Sequence, residues 1–123
     1  MKLERHVGGL SRARKEAYLV RRGWARAEGD QWACSRLGLG PAPLKKAVHH
    51  QLTEDLSLSL VRSGWEVVGY SDRGYVRMRD GASGKACSLP AALRLQARRE
   101  QRRVGELTYS LFLAVLLDSE KPA

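Results

Sequence analysis

The sequence predicts an α+β fold, with two β-hairpins and three or four helices packed around them. Three observations predict it. Apolar residues recur at helical spacing in several stretches. Two tryptophan-led runs each flank a short cluster of turn residues. A glycine stands where each of the first two helices must stop, at Gly23 and at Gly64. The two hairpins either stand apart or join in one antiparallel sheet.

The first helix is expected from Ser11 to Arg22, with Ser11 as N-cap and Leu10, Ala13, Ala17 and Val20 as its core stripe. Trp24–Glu28 and Gln31–Ser35 then read as a hairpin around Gly29-Asp30. A two-residue turn would set Ala27 opposite Trp32 and Ala25 opposite Cys34, with Arg26 on the other side. Residues 37–43 hold Gly38, Gly40, Pro41 and Pro43 and read as a loop. The second helix spans Leu44 to Ser63, with Val48, Leu52, Leu56 and Leu60 inward.

Trp65–Tyr70 and Tyr75–Arg79 form the second expected hairpin, around the four residues 71–74. Paired that way, Trp65, Val67, Val76 and Met78 share a core face. Glu66, Val68, Tyr70, Tyr75, Arg77 and Arg79 share the other. A short strand is expected over Ala86–Ser88. Ser88 then caps a third helix running from Leu89 to Val104, with Pro90 in its first turn and Leu89, Leu93 and Ala97 inward. A fourth helix, residues 106–117, is apolar nearly all round. It either fills the core, the favoured reading in a chain this small, or pairs with a second subunit as a homodimer.

The chain has 123 residues, enough for a single domain over residues 1–123. Leu19-Val-Arg-Arg-Gly-Trp24 recurs as Leu60-Val-Arg-Ser-Gly-Trp65. This echo reads as convergence on one helix-to-strand turn. The alternative is two similar helix–hairpin–helix halves, about 10–59 and 60–105, with helix 106–117 appended.

Apolar residues make up 43% and charged residues 28%, a globular composition. Lys and Arg total 22 against 13 Asp and Glu, a net charge of +9. Residues 1–51 hold 11 basic and 4 acidic side chains, and residues 52–123 hold 11 and 9. Such a field attracts phosphate backbones or acidic protein surfaces. The longest apolar stretch, 107–117, is too short to span a membrane, and Met1–Arg14 lacks the apolar run of a signal peptide. A cytoplasmic protein of bacterial, plasmid or phage origin is expected. Cys34 and Cys87 are expected as reduced, buried thiols.

The segment Leu10-Ser-Arg-Ala-Arg-Lys-Glu-Ala-Tyr-Leu-Val-Arg-Arg-Gly-Trp24, followed by Ala25-Arg-Ala-Glu-Gly-Asp-Gln-Trp32, resembles the recognition helix and wing of winged helix-turn-helix proteins. His49-His-Gln-Leu-Thr-Glu-Asp-Leu56 with Gly64-Trp-Glu-Val-Val68 resembles the segment after the wing in plasmid replication-relaxation proteins of that kind. The resemblance covers about half the chain. It implies a basic helix in the major groove and a hairpin on the backbone or minor groove. Arg12, Arg14, Lys15 and Arg26 would be the contacts. The plain alternative for 11–22 is a solvated amphipathic helix on a sheet.

Two further surfaces are candidates. On the second hairpin, Tyr70 and Tyr75 would stack on bases while Arg77 and Arg79 hold phosphates, against an ordinary cross-strand tyrosine pair. On the third helix, Arg94, Arg98 and Arg102 stand at i, i+4 and i+8 and form a basic ridge, against a solvated helix face. Trp24, Trp32 and Trp65 read as structural.

No metal or cofactor is expected. His49 and His50 are adjacent and diverge by about 100° on a helix, and the cysteines lack partners at ligand spacing. Enzyme motifs fail on inspection, although a divergent nuclease stays open. Gly81–Lys85 resembles a phosphate loop only at its end, because Arg79 stands for its first glycine and Ala86 for its Ser or Thr.

The expected function is a nucleic-acid-binding accessory or regulatory protein, with DNA preferred over RNA. Backbone contacts should dominate, because helix 11–22 has no Asn or Gln to read bases. The alternative is a protein-binding inhibitor or adaptor, such as a phage-encoded antagonist, docking on an acidic partner.

Overall fold

The computed structural model describes residues 6–72 and 75–120. Four helices and two separate three-stranded antiparallel sheets make an α+β fold. The order is α1 (Arg12–Arg21), β1 (Ala25–Arg26), β2 (Gln31–Cys34), β3 (Leu39–Pro43), α2 (Leu44–Arg62), β4 (Trp65–Tyr70), β5 (Val76–Asp80), β6 (Ala86–Ser88), α3 (Leu89–Arg99) and α4 (Val104–Glu120). Each sheet is a meander with its middle strand in the centre. No helix among the described residues is long and apolar enough to cross a membrane.

The chain divides into two compact units. One is Glu54–Leu107. The other comprises the chain up to Thr53 and the stretch from Thr108.

In the unit up to Thr53, Ser11 caps α1 through its Oγ, which accepts the Arg14 N–H at 3.3 Å. The helix closes on a left-handed Gly23 (φ +89°). Gly23 N–H donates to Val20 O at 3.1 Å, and Trp24 N–H to Leu19 O at 3.0 Å. This paired closure turns Leu19 inward. The expected stripe of Leu10, Ala13, Ala17 and Val20 is therefore rotated, with Tyr18 and Leu19 buried and Val20 58% exposed. Two alanines offer little area, whereas Tyr18 stacks on Phe112 of α4 with ring centroids 4.4 Å apart.

The first hairpin also departs from expectation. Ala25 pairs with Ala33 and Arg26 with Trp32, one residue off the expected register. Gly29 takes positive φ but Asp30 does not, which excludes a type I′ turn. Instead Ala27 N–H donates to Gln31 O at 2.8 Å and closes a three-residue loop. Residues 37–43, expected as a loop, contribute strand β3, which pairs Pro43 with Gln31 and Ala42 with Trp32.

In the unit Glu54–Leu107, the base of the second hairpin pairs as expected, Trp65 with Asp80, Glu66 with Arg79 and Val67 with Met78. A bulge then leaves Val68 extra, so Gly69 meets Arg77 and Tyr70 meets Val76. The expected turn residues Arg73 and Gly74 lie outside the described residues. Strand β6 adds on the far side of β5, with Arg77 opposite Ser88, Met78 opposite Cys87 and Arg79 opposite Ala86.

Helix α3 packs on β5 and β6. Ser88 caps it and Pro90 sits in its first turn. Leu89, Ala92, Leu93 and Ala97 are its buried residues. It ends at Arg99, short of the expected Val104. Gln101 takes left-handed φ +56°, and two bonds, Gln101 N–H to Arg98 O and Arg102 N–H to Ala97 O, close the helix. That is the closure seen at Gly23, made without glycine.

The two units share one plan that the fixed-offset echo only hints at. Each begins with a helix end, a left-handed glycine (Gly23 and Gly64, φ +98°) and a buried tryptophan. The residue after each tryptophan pairs with Ala33 in one sheet and Arg79 in the other. The third strands bring Pro43 to Gln31 and Ser88 to Arg77, and each leads straight into a helix at Leu44 or Leu89. From there the helices run in step, Leu44, Ala47, Val48 and Gln51 matching Leu89, Ala92, Leu93 and Gln96. In both units that glutamine accepts the indole N–H of the leading tryptophan. Trp24 Nε1 bonds Gln51 Oε1 at 2.8 Å, and Trp65 Nε1 bonds Gln96 Oε1 at 3.0 Å.

Candidate nucleic-acid interface

The basic residues on α1 and β1 are largely engaged with acids. Glu16 Oε1 accepts from Arg12 Nε at 2.9 Å and from Arg26 Nη2 at 3.0 Å. Arg12 Nη2 also meets Asp30 Oδ1 at 3.3 Å. Arg26 further lies over the Trp32 ring, 5.6 Å from its centroid. Two of the four expected helix-and-wing contacts are thus held in a neutral cluster of two guanidinium and two carboxylate groups. Arg14 is exposed, Lys15 is half-buried, and neither has an ion pair among the described residues.

The arginine ridge on the third helix is shorter than expected. Arg94 and Arg98 are exposed on the side of α3 opposite Leu89 and Leu93, hence away from the sheet. Arg102 lies past the helix end, off the ridge, where its guanidinium donates to Glu106 O at 3.3 Å and stands 3.8 Å from Glu100. Arg99 is committed to structure. It forms two hydrogen bonds with the buried Asp80, at 2.9 and 2.5 Å, and lies 5.7 Å from the Trp65 ring centroid. The Arg99 pair holds the Asp80 carboxyl well below the usual carboxylate range, against the opposing cost of burial, with Ser83 Oγ–H and Ala82 N–H also donating.

The outer face of the second sheet is open. Cross-strand pairing puts Gly69, Arg77 and Ser88 abreast in one row and Glu66, Arg79 and Ala86 in the next. Tyr75 precedes Arg77 by two residues and so lies on the same face, 62% exposed. Arg77 is exposed, with the bulge of Val68 and Gly69 on one side and Ser88 on the other, and no ion pair among the described residues. Arg79 is exposed too, its Nη1 3.9 Å from Glu66 Oε2. The expected platform loses Tyr70. The bulge at Val68 sets Tyr70 against Val76, and side chains paired across strands share a face, so Tyr70 lies on the Val76 and Met78 side.

Protein-family models, characterised proteins and solved structures offer no match to this chain. Among the described residues no three His, Cys, Asp or Glu side chains gather as a metal site. The rings of His49 and His50 stand 6.0 Å apart, tilted by 59°. Burial, then His49 and Lys46, lower the His50 pKa and favour its neutral form.

The bulge has one sequence signal, an isolated glycine inside a strand pattern, and Gly69 takes φ +146° there. The repeated Gln has one too. Leu-x-x-Ala-[Val/Leu]-x-x-Gln occurs at 44–51 and 89–96, but its offset is 45 and the tryptophan echo has 41. A search at one fixed period misses the pair.

Proposed function

We propose that this protein binds nucleic acid, DNA in preference to RNA, as an accessory or regulatory factor, and that the outer face of the β4–β5–β6 sheet makes the main contact. The observation that carries this reading is the pair of exposed arginines on the central strand, Arg77 and Arg79. They stand roughly 7 Å apart along the strand, with the bulge of Val68 and Gly69 on one side of Arg77 and Ser88 on the other. Arg12 and Arg26 already satisfy local carboxylates, so recruiting them for phosphate would mean breaking those pairs.

The test is a titration with duplex DNA, single-stranded DNA and RNA at several salt concentrations. Log affinity should fall linearly with log salt. R77A/R79A should lower affinity at low salt and reduce the slope by about 1 to 2, at roughly 0.9 for each of the two side chains that holds a phosphate. R12A/R26A should change the slope by less. Absence of binding to all three ligands at low salt would overturn the reading and leave an acidic protein as the partner.

A further inference from the structure

We infer that the same sheet face reads base edges in the major groove of duplex DNA, with Arg79 and Glu66 together recognising a G·C pair. The inference rests on the proposed function and adds a ligand class and a specificity residue to it.

Three observations point this way. The first is the loss of Tyr70 from the face. Single-strand and RNA platforms hold successive bases on several aromatic side chains. Here Tyr75 alone is left among the described residues, so stacking is a weak basis for binding. The second is the strand pairing of the face. Arg77 stands on the central strand between Ser88 and the bulge of Val68 and Gly69, and flanking strands lie about 4.8 Å to either side. A major groove about 12 Å wide admits a two-stranded β-ribbon, and the β4–β5 pair carries Glu66, Arg77 and Arg79.

The third is Glu66. A face built only for phosphates gains nothing from a carboxylate among its arginines, because the carboxylate repels the ligand. The Glu66–Arg79 contact is also a poor stabiliser, 3.9 Å long with the two side chains 68% and 51% exposed. The pair does have the right chemistry for one base pair. In the major groove a G·C pair presents guanine N7 and O6 as acceptors and the cytosine amino group as a donor. A guanidinium fork with a carboxylate beside it presents two donors and an acceptor, the complement of that edge. Arg77, two residues along, then falls about two base-pair steps away at roughly 3.4 Å per step.

The experiment uses the full chain and a pool of random duplexes carried through repeated rounds of binding and recovery. A consensus containing G·C at fixed positions is expected, bound roughly tenfold or more tighter than a scrambled duplex. Glu66→Gln should bind the scrambled duplex as well as or better than the parent, since a negative charge is gone. Its preference for the consensus should drop about tenfold. Arg79→Lys, which keeps the charge but loses the fork, should keep the salt slope and lose the preference. A recovered pool with no consensus overturns the inference, as does a Glu66→Gln variant that tightens on consensus and scrambled duplexes alike. A preference for single strands over every duplex also overturns it. In those cases duplex or single-strand binding with a salt slope leaves the proposed function standing, whereas no binding at low salt removes both.

Discussion

Where the second sheet shows Arg77 and Arg79 on the outer face of its central strand, the first shows Gln31 and Ala33 at the matching positions. The inward positions behave in the opposite way. Trp24 matches Trp65, Ala47 matches Ala92, Val48 matches Leu93 and Gln51 matches Gln96, and both tryptophans are 2–3% exposed. Matching interiors with diverging exteriors separate what holds the frame from what uses it. Formal charge alone favours the first half. Residues 1–51 hold the larger excess of basic over acidic side chains. Yet Arg12 and Arg26 are matched there by Glu16 and Asp30. The more balanced second half leaves Arg77 without an ion pair among the described residues, as the first leaves Arg14 and Lys15. What attracts a phosphate is the unmatched cation at an open surface, not the sum over a segment.

If the two frames are equivalent, they should fail equally. Trp24→Ala and Trp65→Ala should each cost about 3–5 kcal/mol in urea unfolding, since each removes a buried indole and the hydrogen bond to its glutamine. Gln51→Leu and Gln96→Leu should cost less, about 1–3 kcal/mol, by stranding the indole N–H. The Gln51 change should be the larger, because Gln51 is fully buried and also accepts from Arg36 at 3.4 Å. A tryptophan variant costing under about 1 kcal/mol in one unit only would break the comparison.

Much of that frame is legible in the sequence. The helix starts at Ser11 and Ser88, the stripe Val48, Leu52, Leu56 and Leu60, and the base of the second hairpin all follow from capping, periodicity and alternation. What is harder to read depends on a single backbone conformation. Gln101 in the left-handed region ends α3 and takes Arg102 off the ridge. One extra residue at Val68 turns Tyr70 to the other face. Local composition does not mark the first, which uses no Gly or Pro, whereas Gly69 beside Val68 does mark the second. The engagement of Arg12 and Arg26 is illegible for another reason. It depends on Glu16 and Asp30, whose proximity comes from folding α1 beside the hairpin loop.

A smaller effect sharpens the comparison at the ends of the central strands. Ala33 is followed by the buried Cys34, and Arg79 by the buried Asp80. Asp80 is ionised through its hydrogen bonds from Arg99, which lower its pKa far below the ordinary 3.8. With a depressed native pKa, the unfolded chain takes up the proton first, so stability from this pair is complete at neutral pH. It is lost as pH falls below about 3.8 toward the native value. Asp80→Asn should therefore lower the urea midpoint at pH 7, and the gap to the parent should narrow between pH 4 and pH 2.5. A gap that stays constant over that range would show that packing, and not the charge pair, makes the difference.

The smallest effect is a gain. Gln31→Arg with Ala33→Arg places on the first sheet the arginines that the second carries. Ala25 stands beside Ala33 and Pro43 beside Gln31, but both receiving positions are half-buried and the Gly40 backbone lies close against Ala33, so the longer side chain there must pass Gly40. Two added phosphate contacts would steepen the salt dependence of duplex binding by at most about 2, and the affinity gain at low salt should be only a few-fold, since no base-reading partner accompanies them. Ala25 stands where the second sheet has Glu66, so the graft should strengthen binding to every duplex without adding preference for any. A sequence preference gained by the arginines alone would mean that Glu66 is not the discriminating residue. No gain at all would mean that the two outer faces, matched in register, are not matched in access to DNA.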